Sequence, residues 1–191
     1  MTTPVAPPLP GRRAFTLVEL LIVLTLIAIV AGFAIPRVDT MKYRSDAAAR
    51  SVVAQLQGAQ RTAVTRQYDV LVSFDVTGRR VRVLEDTNRN GRADDGERAS
   101  WRVLAEGTQF AAPPAAVSLG GGPVVGRDLR TVDGLPTLVF RRDGSAGGDA
   151  EIYLTSPRAK SSDFRAVLVT EATGRAEWLR YTGDHWTRAG L

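Results

Sequence analysis

The sequence predicts an α+β protein, a long N-terminal helix packed on an antiparallel β-sheet domain, and three patterns in its 191 residues predict it. From Phe15 to Ile35 the residues are almost all Leu, Ile, Val, Ala and Phe. Between Ala48 and Ala63 apolar residues recur every three or four positions, the signature of one buried helix face. After Tyr68 the apolar spacing drops to two, the period of a strand. A chain of this length holds one core of ordinary size.

Taken in order, residues 1–14 form a short polar leader ending in Gly11-Arg12-Arg13-Ala14. It resembles the charged start of a signal peptide, but the apolar run that follows is too long for a signal core and no small-residue cleavage site comes after it. Residues 15–35 therefore read as a retained transmembrane helix of about 30 Å. Pro36 closes the run, and a break is expected there. Residues 36–67 continue as an amphipathic helix, with Ala48, Ala49, Val52, Val53, Leu56, Ala59 and Ala63 on one face and Arg50, Gln57 and Arg61 on others. Residues 68–191 are the β-rich domain. Val70, Val72, Phe74 and Val76 alternate along a first strand, and Thr77-Gly78 turns the chain into Arg80 to Leu84. Further strands are expected at 99–104, 137–141, 151–154, 164–170 and 175–181. The Pro- and Gly-rich stretch 111–134 reads as an irregular, mobile loop.

Composition narrows the chemistry. The chain has no cysteine, so disulfides, thiolate metal sites and cysteine nucleophiles are excluded. Its one histidine, His185, has no companion in sequence. Ser73, Ser100 and Ser156 lack a nucleophile-elbow context, and Gly120-Gly121-Gly122-Pro123 lacks the lysine of a phosphate-binding loop. No enzyme and no required cofactor are expected. The charge of +5, from 25 Lys and Arg against 20 Asp and Glu, is a mild attraction for anionic partners.

One acid, Glu19, sits inside the apolar run. A carboxylate at the centre of a span costs about 2.5–3.5 kcal/mol, less near its end, so it calls for a partner. The junction Arg13-Ala14-Phe15-Thr16-Leu17-Val18-Glu19-Leu20 resembles the leader junction of type IV prepilins and type II secretion pseudopilins. That resemblance implies cleavage between Ala14 and Phe15 by a prepilin peptidase and N-methylation of the new Phe15 amine. It also implies that Glu19 pairs with the amine of a neighbouring pilin during assembly. Ala14 departs from the glycine usual before the cut, and slower processing is expected. Basic residues flank the span on both sides, with Arg12 and Arg13 before it and Arg37, Lys42 and Arg44 after it, so the positive-inside rule does not orient it. The resemblance implies a cytoplasmic N-terminus, a single pass through the bacterial inner membrane, a periplasmic domain and an inner-membrane assembly platform as partner. The hairpins around Phe140 with Asp143-Gly144 and around Thr173-Gly174-Arg175 resemble the GspH/FimT group of minor pilins, which implies a low-copy subunit.

Two further sites are candidates. Asp86, Asn88, Asn90, the Arg92 carbonyl, Asp94 and Glu97, with Gly91 at the sharp turn, fit the spacing of a calcium loop. Strand-like flanks and Arg89, Arg92 and Arg98 favour instead a plain turn whose acids and amides bond their own backbone. Some FimT-like pilins capture DNA through a basic C-terminal hairpin, and Arg175 and Arg180 stand where such a hairpin would lie. Glu177 occupies the position of its second arginine, and loss of Arg12 and Arg13 with the leader lowers the charge from +5 to +3. The leading reading is a structural pilin or pseudopilin subunit. The alternatives are a DNA-capturing minor pilin and a single-pass anchored binding domain that never polymerises.

Overall fold

The computed structural model describes residues 15–34 and 40–189. The chain divides into two compact units, Met1–Asp39 and Thr40–Leu191. The leader, Ala14 and the break expected at Pro36 lie outside the described residues.

In the first unit, helix α1 spans Leu17–Ala34. Thr16 starts it: its Oγ1 accepts the Glu19 N–H at 3.1 Å, and its carbonyl accepts the Leu20 N–H at 3.1 Å. Thr16-Leu17-Val18-Glu19 has the spacing of a capping box, with Glu19 in the first turn where an acid also suits the helix dipole. The large side chains from Leu17 through Val30 are exposed on every side of the helix. A helix that is apolar all round belongs in lipid or among other apolar helices. Among the described residues no helix is long and apolar enough to cross a membrane. The apolar run read from the sequence, Phe15 to Ile35, begins before α1 and ends after it.

In the second unit, helix α2 spans Thr40–Arg66. Ala48, Ala49, Val52, Leu56, Ala59 and Ala63 are buried, while Arg50, Gln57 and Arg61 face out, as the spacing predicts. The four alanines let the helix axis approach the strands closely. The helix stops at Gln67, whose φ of 61° is left-handed and whose N–H reaches the Ala63 carbonyl at 2.9 Å.

Two antiparallel sheets receive α2. The first has the order β3-β2-β1-β7-β6, built from β1 (Asp69–Asp75), β2 (Arg80–Asp86), β3 (Ala99–Val103), β6 (Arg130–Val132) and β7 (Leu135–Phe140). The second has the order β11-β10-β9-β8-β4, built from β4 (Gln109–Phe110), β8 (Ala150–Thr155), β9 (Arg165–Val169), β10 (Ala176–Tyr181) and β11 (Trp186–Arg188). A short β5 (Val124–Gly126) pairs with β8 beside β4. The main core lies where the helix meets both sheets: Val52 and Leu56 pack with Val72, Phe74 and Phe140 of the first and Ile152, Leu154 and Val167 of the second.

Three departures from the sequence reading have physical causes. The alternation along β1 predicts one covered face, yet the strand is buried from Val70 to Phe74. Its second face is closed by a smaller cluster of Leu71, Leu84, Val132 and Val139. The stretch 111–134 carries two short strands and is tied down by polar contacts. The buried Glu151 carboxylate accepts the Ser118 and Leu119 N–H groups at 3.0 and 3.2 Å, and the Tyr153 hydroxyl accepts the Val117 N–H at 2.9 Å. Burial, then the bond to Glu151, raises the pKa of that phenol. Finally, the Asp143-Gly144 turn closes the expected hairpin, with an antiparallel bridge between Phe140 and Ala146 and the Gly147 N–H on the Val139 carbonyl at 2.7 Å, but the returning chain then leaves the first sheet and enters the second as β8.

The Thr173-Gly174 turn between β9 and β10 is as expected, and α2 reaches it. Gln60 Nε2 donates to the Gly144 and Thr173 carbonyls, each at 2.7 Å, so one side chain fastens both turns to the helix. Gly174 has φ of 61°, and a Cβ there would stand 2.2 Å from the Gly144 carbonyl oxygen and 2.6 Å from Gln60 Nε2. Gly174→Ala is expected to lower stability by more than about 1 kcal/mol, from the left-handed backbone and the clash together. Urea unfolding followed by circular dichroism measures this.

Candidate functional site

The assembly motif comes first. Phe15 precedes α1 and is exposed, and Glu19 lies in its first turn, also exposed. Among the described residues Glu19 forms no ion pair. A single carboxylate thus stands unpaired on a helix that has no polar face. Burying this helix among apolar neighbours strands that charge unless a cation arrives with the neighbour.

The loop 86–97 is folded onto itself. The Asp86 carboxylate accepts the Asn90 N–H at 3.1 Å and the Gly91 N–H at 2.8 Å. The Glu97 carboxylate accepts the Thr87 N–H at 2.9 Å and the Asp94 N–H at 3.3 Å. The Asn88 Nδ2 donates to Asp94 at 2.8 Å, with Asn90 Nδ2 on the same oxygen, and these amides hold the Asp94 carboxyl below its ordinary range. Asn88 and Asn90 side-chain oxygens each cap the backbone N–H two residues on, the latter at Arg92. Gly91 has φ of 71°, the sharp turn expected of it. Among the described residues no group of three or more His, Cys, Asp or Glu side chains is gathered where it could hold a metal ion.

Arg175 and Arg180 flank the seam between α2 and β10 but differ in state. Arg180 donates to Asp46 at 2.7 Å. Arg175 is exposed and forms no ion pair among the described residues. Glu177, between them, pairs with Arg188 at 3.1 Å. Trp178 is half-buried with the Arg50 guanidinium 5.8 Å from its ring centre, and Trp186 packs on Tyr153 and Tyr181. His185 bonds its neighbour Asp184, also exposed, at 2.7 Å and meets no catalytic partner.

Sequence reasoning missed an ionic cluster beneath this seam. Arg165 is fully buried; its Nε donates to Asp46, and its Nη1 donates to the Ser162 and Phe164 carbonyls at 2.8 Å each. Burial pushes the guanidinium pKa down, and Asp46 opposes that. The signal was present. Arg165 interrupts the apolar strand Phe164-Arg165-Ala166-Val167, and Asp46 lies one turn before the buried Ala49 on the helix.

Comparison with known proteins agrees with this layout. Residues 9–35 match the model of the prokaryotic N-terminal methylation motif, and residues 48–174 match that of the type II transport protein GspH. The chain is 31% identical to the pilin-like protein PilA1 of Thermus thermophilus over 140 residues, 70% of this chain and 89% of that one. Two structures of the minor pseudopilin EpsH from the Vibrio cholerae type 2 secretion system align over 78% of this chain. They cover 99% and 97% of EpsH, at TM-scores of 0.49 and 0.48 and identities of 15% and 18%. The methylation motif includes the exposed apolar helix and its one acid, and the GspH match covers α2 from Ala48 onward and the strands through β9. The chain belongs to the GspH family of pilin-like proteins and is a structural pilin or pseudopilin subunit.

Proposed function

We propose that this chain is a minor subunit of a type II secretion pseudopilus or type IV pilus, made as a precursor and assembled through α1. Prepilin peptidase cuts between Ala14 and Phe15 and the Phe15 amine is methylated. The apolar helix is held in the inner membrane with the β domain in the periplasm until the assembly platform moves it into the filament. Its role is structural rather than enzymatic. One observation carries the reading: Glu19 stands unpaired in the first turn of a helix whose apolar side chains are exposed on all sides. A neighbour's new N-terminal amine supplies the missing cation, and two buried charges together cost far less than either alone. Epitope-tagged chain, produced with the other filament subunits, should appear in the sheared-filament fraction; its restriction to membranes would refute the reading.

Calcium at the 86–97 loop is a second proposal, supported by the left-handed Gly91 and by Asp86 and Glu97 closing the loop from its two ends. Asp86, Asn88, Asn90, the Arg92 carbonyl, Asp94 and Glu97 would supply oxygen to a hard cation. The ion must first displace the Asn88 and Asn90 amides from Asp94. Calorimetric titration should give a one-to-one calcium heat that Asp86→Ala and Glu97→Ala remove. No heat from the parent protein ends the idea.

A further inference from the structure

A groove runs along the seam between α2 and the β10–β11 hairpin, within the second compact unit. Its central cavity of about 580 Å³ has an aliphatic floor of Val53, Ala54 and Ala176, with Arg50 and Arg175 at its sides. It lies within the roughly 300–1,000 Å³ typical of ligand clefts. Smaller cavities continue it at both ends, one of about 190 Å³ reaching Arg180 and one of about 280 Å³ reaching Arg61. Five arginines thus border it against one acid, Glu177. Existing pairings leave two of them available for a ligand. Arg188 is taken by Glu177 and Arg180 by Asp46, and Arg61 Nε donates to the Gln57 carbonyl at 3.3 Å. Arg50 and Arg175 have no acidic partner among the described residues.

Unpaired guanidiniums beside an aliphatic floor suit carboxylates separated by an apolar side chain. A nucleic acid strand fits less well. Its affinity rests on a continuous run of phosphate contacts and on aromatic faces for base stacking. Here Glu177 takes Arg188 and Asp46 takes Arg180, so the free cations do not form a continuous run, and the groove's lining offers one aromatic ring, Trp178.

We propose that this groove binds a short acidic peptide segment of a partner protein, its carboxylates held by Arg50 and Arg175 and its apolar side chain laid over Val53, Ala54 and Ala176. Charge complementarity identifies the occupant, and the inference does not depend on polymerisation. The test uses the full chain in uncharged detergent and fluorescence anisotropy with a labelled peptide alternating aspartate and leucine. The controls are the same peptide with asparagine for aspartate and a short oligothymidine. The aspartate peptide should bind at low salt and be released as salt rises. Arg50→Glu with Arg175→Glu should weaken it at least about tenfold, since hydrogen bonds to charged groups are each worth that much. Arg102→Glu, on the exposed strand β3, should leave binding unchanged. Arg175→Gln alone, which removes the charge at little change of shape, should weaken binding too and keeps the test decisive if the double variant fails to fold. The proposal is overturned if the aspartate peptide does not bind, if the asparagine peptide binds equally, or if Arg175→Gln changes nothing. Tighter, arginine-dependent binding of oligothymidine would also overturn it and assign the groove to nucleic acid.

Discussion

Replacing Asp46 with alanine is expected to destabilise the second compact unit by about 3–5 kcal/mol, the range for removing one partner of a buried ion pair. Arg165 has no access to water, and a guanidinium does not give up its proton. The Ser162 and Phe164 carbonyls solvate its Nη1 but bring no charge. Asp46 is the carboxylate hydrogen-bonded to it and also holds Arg180, so its loss leaves the buried Arg165 only the charge of Asp163, which makes no hydrogen bond to it, and frees the exposed Arg180. Domains are stable by only about 5–15 kcal/mol, so this one change removes a large share. The pair also fixes position: Asp46 is on the second turn of α2, Arg165 opens β9, and Arg165 Nη2 reaches the Lys42 carbonyl at 3.4 Å. Joint replacement of Asp46 by leucine and Arg165 by methionine should recover most of the loss, because a buried pair gains little over well-packed apolar groups. Urea denaturation of the three proteins measures both effects. Equal destabilisation by the single and double variants would show that the charge balance is not what matters.

Glu19→Ala is expected to reduce incorporation into filaments on the order of a hundredfold while leaving the β domain folded. Removing one partner of a buried ion pair costs about 3–5 kcal/mol, and in the filament the pair relieves both the acid and the incoming amine. Alanine removes the acid but leaves the neighbour's ammonium buried alone, so the assembled state suffers and the membrane-held subunit does not. Glu19→Gln should fail likewise, since an amide keeps the shape and the capping position but not the charge. Quantitative blotting of sheared filaments against the membrane fraction reads the ratio. Circular dichroism of each variant shows that the strands are intact.

How much of this was legible in the sequence depended on whether a feature was set by local pattern or by distant packing. The stripe Ala48 to Ala63, the β1–β2 hairpin and the β9–β10 turn were readable because period and turn chemistry act over a few residues. Strands β4, β5, β6 and β11 were not, for each is only two or three residues long and exists because a longer neighbour offers it an edge. Val132 looks like loop sequence beside Asp133-Gly134, yet it covers Leu71 on the second face of β1. Glu151 looks like the exposed residue of an alternating strand, yet its carboxylate anchors the 117–119 backbone. Of the candidate sites, Glu19 stood out in the sequence as one acid inside an apolar run, and it lies exposed and, among the described residues, unpaired in the first turn of α1. The groove was not legible, since it joins Arg50 to Arg175 across 125 positions of sequence through the packing of α2 on β10.

The most direct test of the central claim is the intact mass and N-terminal fragmentation of the subunit recovered from native filaments. The account predicts a mature chain that begins at Phe15 and carries one added methyl group on its amine, with residues 1–14 gone. A filament subunit that still begins at Met1, or one that begins at Phe15 with an unmethylated amine, would contradict it.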